Sequence, residues 1–140
     1  MRVILDTNVL LAALISPGGV PDRIYRMWRG RRFELVTGRA QLDELRRISR
    51  YPKLKQILPP HRIGTMINNL SAAIILDRLP DLPDEVALAD PNDRFLLSIV
   101  LAGDADFLVT GDKKAGLLQL GSFGRAQILV PAAFVERMAT

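Results

Sequence analysis

The stretch Val3-Ile4-Leu5-Asp6-Thr7-Asn8-Val9-Leu10-Leu11-Ala12-Ala13-Leu14-Ile15 decides how this chain is read. Val3 to Leu5 reads as a short apolar strand and Val9 to Ile15 as a helix, broken at Ser16-Pro17-Gly18-Gly19. Asp6 falls directly after the strand. The same alternation runs outward along the chain. Asp22 to Arg29 predicts a helix ended at Gly30, Phe33 to Thr37 a strand, and Arg39 to Arg50 a helix stopped before Pro52. Pro59-Pro60 opens a helix to about Ala72, and Ala73 to Leu76 has the β-branched character of a strand. Pro80 to Asp90 is a surface loop, and Phe95 to Ala102 is apolar on nearly all sides, as a buried helix would be. Phe107 to Val109 and Ile128 to Val130 complete the strands, and Pro131 stands at a helix start. Such alternation predicts an α/β fold with a mostly parallel sheet and helices on both faces.

The 140 residues suit one domain with a single sizeable core, so 1–140 is taken as one unit. Apolar residues make up 49% and charged residues 24%, the balance of an ordinary globular protein. With no cysteine, disulfides, thiolate zinc sites and cysteine nucleophiles are excluded. An acid at position 6 comes too early for a signal peptide, and no apolar run is long enough to span a bilayer. The expectation is a soluble, cytoplasmic protein. The net charge of +4 conceals an asymmetry: residues 23–62 hold 12 of the 19 Lys and Arg but only Glu34, Asp43 and Glu44 as acids. That density suits contact with a polyanion, and equally a set of solvated helix faces bearing Arg26, Arg29, Arg46 and Arg50.

In open α/β sheets ligands gather beyond the carboxyl ends of the strands. Asp6 follows one strand and Asp112 follows Leu108-Val109-Thr110-Gly111, so both belong to that edge. A helix N-cap explains Asp6 equally well, and a turn acid explains Asp112. On the helix after Arg39, Leu42, Leu45 and Ile48 form an apolar stripe. Glu44 lies about 100° from its centre at Leu45, whereas Asp43 lies about 160° away, on the solvent side. Glu44 is therefore the better candidate for a cleft. Asp90-Pro91-Asn92-Asp93 has the form of a helix start, in which capping accounts for both acids. A first-turn carboxylate on so apolar a helix would nonetheless be held rigidly, its charge stabilised by amide dipoles. Were these four acids to converge, their mutual repulsion would call for a cation. Ligands that are all oxygen favour Mg²⁺ or Mn²⁺ over zinc. Spacing alone leaves the convergence open.

Other chemistries find less support. His61, the only histidine, sits at a helix start, and one histidine cannot run two-histidine acid–base cleavage of RNA. Gly111-Asp112-Lys113-Lys114-Ala115-Gly116 lacks the spacing of a phosphate-binding P-loop. Tyr25 and Trp28 among Arg23, Arg26 and Arg29 offer base-stacking groups, but a helix packing its aromatics on a partner is the commoner case.

Four motifs in order resemble one family. Val3-Ile4-Leu5-Asp6-Thr7-Asn8 looks like the N-terminal signature of PIN domains, and Gln41-Leu42-Asp43-Glu44-Leu45 resembles their helix bearing the second acid. Asp90-Pro91-Asn92-Asp93-Arg94-Phe95-Leu96 and Ala105-Asp106-Phe107-Leu108-Val109-Thr110-Gly111-Asp112 resemble the third and fourth acid motifs. The resemblance covers essentially the whole chain and is nearest to PIN proteins of a toxin branch alongside the VapC-type toxins. It implies a three-layer α/β/α fold and a Mg²⁺- or Mn²⁺-dependent ribonuclease. Asp6, Glu44, Asp93 and Asp112 would be the metal ligands and catalytic acids, and Asn8, Asp90 and Thr110 the supporting groups. It further implies a small antitoxin partner and a homodimer, for which Ile24, Met27 and Trp28 on one short helix offer a surface. Arg46 and Arg50 are candidates for RNA contact. The family's other forms, a silent module binding RNA or protein and a nuclease of RNA maturation, share the same motifs. One departure stands out: Thr37-Gly38 occupies the place of a Thr-Ser pair in many relatives, removing a hydroxyl.

Overall fold

The structure is a computed structural model that describes residues 1–83, 91–111 and 116–139. Its strands are β1 (Arg2–Leu5), β2 (Glu34–Gly38), β3 (Ile74–Leu76), β4 (Phe107–Val109), β5 (Ser122–Phe123) and β6 (Ala126–Leu129). Its helices are α1 (Thr7–Ile15), α2 (Val20–Arg29), α3 (Arg39–Ile48), α4 (Pro52–Ile57), α5 (Pro60–Leu70), α6 (Pro91–Gly103), α7 (Leu117–Leu120) and α8 (Pro131–Met138). The strands form one sheet in the order β3-β2-β1-β4-β6-β5, parallel except for the β5–β6 pair. The expected mostly parallel sheet is therefore present. It gains the short strand β5 and helices α4 and α7, each too brief to carry a periodic signal. α5 stops at Leu70, two residues before the expected end, because Ser71 to Ala73 close a turn onto Asn68 to Leu70. Among the described residues, no helix is long and apolar enough to cross a membrane.

Residue-by-residue alternation along the strands builds the two cores. Val3, Leu5, Leu35 and Val109 point into one, with Val9, Leu10, Trp28, Leu42, Leu45, Met66 and Phe134. Ile4, Val36 and Leu108 point into the other, against Leu96, Leu97, Ile99 and Val100 of α6. The sheet is thus sandwiched, with α1, α2, α3, α5 and α8 on one face and α6 and α7 on the other. Burial of each large aliphatic side chain contributes about 1.5–3 kcal/mol, so a sheet covered on both faces is the main source of stability.

The surface expected on α2 is not as the sequence suggested. Ile24 is wholly buried and Trp28 only 7% exposed, packed in the first core with Tyr25 edge-on to the indole. Ile24 and Trp28 therefore face inward and offer no partner surface, while Met27 is half-buried and lines a surface pocket with Arg23, Arg26 and Met138. The glycine at position 38 has a steric reason: a Cβ there would lie 2.9 Å from Phe95 Cζ and 3.4 Å from Ile99 Cδ1. Its backbone is extended, so space and not conformation excludes a side chain.

Candidate active site

The order of the strands sets where a site can form. β1 has β2 on one side and β4 on the other. The chain goes from β1 to β2 over one face, through α1 and α2, and from β3 to β4 over the other, through α6. The carboxyl ends of β1 and β4 therefore flank a point where the winding reverses, the usual place for a ligand crevice in such sheets.

Asp6 stands at that point. Its backbone N–H donates to Val109 O at 2.9 Å, extending the β1–β4 ladder by one residue. It occupies the N-cap position of α1, yet its side chain makes no capping hydrogen bond. Instead, Asp6 Oδ2 accepts a hydrogen bond from the hydroxyl of buried Thr110, at 2.8 Å. Capping therefore does not account for this carboxylate. A 420 Å³ cavity lined by Asn8, Val9, Ala12, Pro21, Gly111 and Pro131 opens at the same edge, with the Asn8 side chain exposed to solvent.

Helix α3 starts at the end of β2, and its first turn is bound to the end of β1. Gln41 Nε2 donates to Leu5 O at 2.8 Å and to Thr7 Oγ1 at 3.3 Å, and its Oε1 accepts a hydrogen bond from Thr37 Oγ1. Glu44, three residues on and so on the same side of the helix, is half-buried. Asp43 is exposed and pairs with Arg46 at 3.1 Å, the division of roles expected from their angles to the apolar stripe. Asp93 lies in the first turn of α6 and is only 4% exposed. The contact of Phe95 with the Gly38 position brings this end of α6 to the carboxyl end of β2. Asp6, the first turn of α3 and the first turn of α6 thus lie toward the carboxyl ends of β1 and β2. Asp90 and Asp112 lie outside the described residues.

Gln41, Thr37 and Thr7 were not singled out as site residues by the motifs, although the sequence carries one signal. On the helical wheel Gln41 falls about 40° from Leu45, inside the apolar stripe, where an amide needs buried partners. Of the candidate RNA contacts, Arg46 is half-exposed and bound to Asp43, and Arg50 is exposed after the end of α3.

The donor chemistry at this edge is carboxylate and hydroxyl oxygen, with the sole histidine on α5, where its side chain is exposed. That set suits a hard divalent cation. Among the described residues, no group of three or more acidic, histidine or cysteine side chains is close enough to hold a metal ion. Asp112, the fourth acid of the motif set, is not among them.

A family model described as PIN domain matches residues 2–114. The chain is 24% identical to an uncharacterized protein of Methanocaldococcus jannaschii, an alignment covering 97% of this chain and 90% of the other. Among solved structures it is similar to VapBC2 from Rickettsia felis bound to a DNA fragment from their promoter. The TM-score is 0.62 at 18% identity, covering 93% of this chain and 98% of that one, a likeness of fold.

Proposed function

This chain belongs to the PIN domain family of nucleases, and from that membership we propose that it is a Mg²⁺- or Mn²⁺-dependent endoribonuclease, the toxin of a toxin–antitoxin pair. The observation that carries the reading is the Asp6 carboxylate, bound to Thr110 at the reversal point of the sheet while making no cap to α1.

PIN nucleases generally use divalent metals. Asp6, Glu44, Asp93 and Asp112 would hold the cation here, with Asn8, Asp90 and Thr110 as supporting groups. When bound, a divalent ion of this class supplies an activated water and neutralises charge on the phosphodiester. The chain's own residues prepare the site. Thr110 fixes one Asp6 oxygen, and burial of Asp93 keeps its carboxylate from wandering. Arg46 and Arg50 supply positive charge for the RNA backbone. The Rickettsia felis complex shares this chain's fold, and from the resemblance to toxins follows the proposal of a cytoplasmic homodimer silenced by an antitoxin segment at the cleft entrance. Its surface for those partners lies elsewhere than Ile24 and Trp28.

The test is cleavage of a mixed-sequence RNA by purified protein. Cutting should stop in a chelator, return with Mg²⁺ or Mn²⁺, and fall strongly in Asp6→Asn, Glu44→Gln, Asp93→Asn and Asp112→Asn. Chelator-resistant cutting would defeat the mechanism. RNA binding without any cutting would favour a silent module.

A further inference from the structure

Between the carboxyl ends of β1 and β2 the sheet opens, and one side chain fills the opening. The two strands pair at Arg2 with Glu34 and at Val3 with Leu35. Beyond that, β2 pairs on its other side with β3, at Val36, Thr37 and Gly38. Gln41 projects from α3 toward these ends and is 2% exposed. Its amide uses both ends, donating to Leu5 O and Thr7 Oγ1 and accepting from Thr37 Oγ1. One neutral group thus joins β1, α1, β2 and α3.

A buried amide is retained at a cost unless its partners are all met, and an apolar side chain would fill the space equally well. Here the partners have a common meaning. Leu5 is the residue before Asp6, and Gln41 is three residues, about one helical turn, before Glu44. Taking Asp6 and Glu44 as metal-holding acids, the reading above, we propose that Gln41 is a positioning residue that sets the separation of those two carboxylates and thereby the affinity for the cation. It acts through Leu5 O and the frame of α3 and touches no substrate. Neutrality is part of the design: a carboxylate at this position could not donate to Leu5 O.

The experiment is titration of Mn²⁺ into metal-stripped, full-length protein by calorimetry, with melting temperature in chelator as the control for folding. Gln41→Met keeps length and bulk but removes every hydrogen bond, and it should weaken Mn²⁺ binding about tenfold or more. In the double variant with Glu44→Gln, the Gln41→Met change should add much less to the loss, because both act on one pair. Thr37→Val, which takes away the hydroxyl that donates to Oε1 and its longer contact with Gly38 O at 3.4 Å, should weaken binding in the same direction by a smaller factor. It decides the question should Gln41→Met fail to fold. A lower melting temperature with unchanged Mn²⁺ affinity in these variants would make Gln41 a purely structural residue and overturn the proposal. That outcome differs from failure of the underlying reading, in which wild-type protein binds no Mn²⁺ or Glu44→Gln binds it as tightly as wild type.

Discussion

The hydroxyl of Thr110 donates to Asp6 Oδ2 at 2.8 Å, joining the carboxyl ends of two strands that are 104 residues apart in the chain. The neighbouring backbone bond, Asp6 N–H to Val109 O, fixes the same junction, so the residue is held through both main chain and side chain. Replacing Thr110 by valine preserves shape and removes only the hydroxyl. The expected result is a loss of roughly 1 kcal/mol of stability and a tenfold or greater fall in metal-dependent cleavage. Paired denaturation and cleavage assays check it; unchanged cleavage would reduce Thr110 to a packing residue.

Gly38 and Phe95 should behave as a coupled pair. A methyl group at position 38 would meet the Phe95 ring at 2.9 Å, so Gly38→Ala should cost about 1–3 kcal/mol in urea unfolding. Shortening the ring in Gly38→Ala/Phe95→Leu should cost less than the sum of the two single changes. Strict additivity would mean that the ring moves aside freely.

At the other end of β4, Asp106 gives a pH prediction. The Arg2 backbone N–H on Asp106 Oδ2, joined by the Arg125 guanidinium on Oδ1 at 2.7 Å, holds this carboxyl below the usual carboxylate range. A lowered native pKa means that the folded state binds fewer protons than the unfolded one. The stabilisation is therefore full above about pH 4 and is lost as pH falls through the native value. Asp106→Asn should lie about 1 kcal/mol below wild type at pH 7, with the gap closing in acid. A gap independent of pH would assign the difference to packing.

The strands were largely legible because apolar runs such as Val3 to Leu5 and Phe107 to Val109 are bounded by acids and turns, whereas their order in the sheet comes from long-range pairing that no local pattern carries. Glu44 and Asp43 separated correctly because helical angle alone distinguishes stripe edge from solvent side. Trp28 misled: on a helix an apolar stripe has the same pattern whether it meets its own core or a partner, and here it meets the core. The meaning of Gly38 was hidden for another reason, since the ring that excludes a side chain comes from a helix more than 50 residues away. Gln41 was hidden in the same way, its partners lying at the ends of two strands brought together only by the sheet. β5 is two residues long and held by its pairing with β6, beyond the reach of any periodicity.

Asp6, on the reading proposed here, belongs to a cation site and not merely to a helix start. Calorimetric titration of Mn²⁺ into metal-stripped wild type, Asp6→Asn and, as an acid at the far end of the strands, Asp106→Asn tests it most directly. Saturable binding is expected for wild type and Asp106→Asn, with a rise in melting temperature on metal addition, and at least a tenfold weaker affinity for Asp6→Asn. Equal Mn²⁺ binding by wild type and Asp6→Asn, or no saturable binding by wild type, would contradict it.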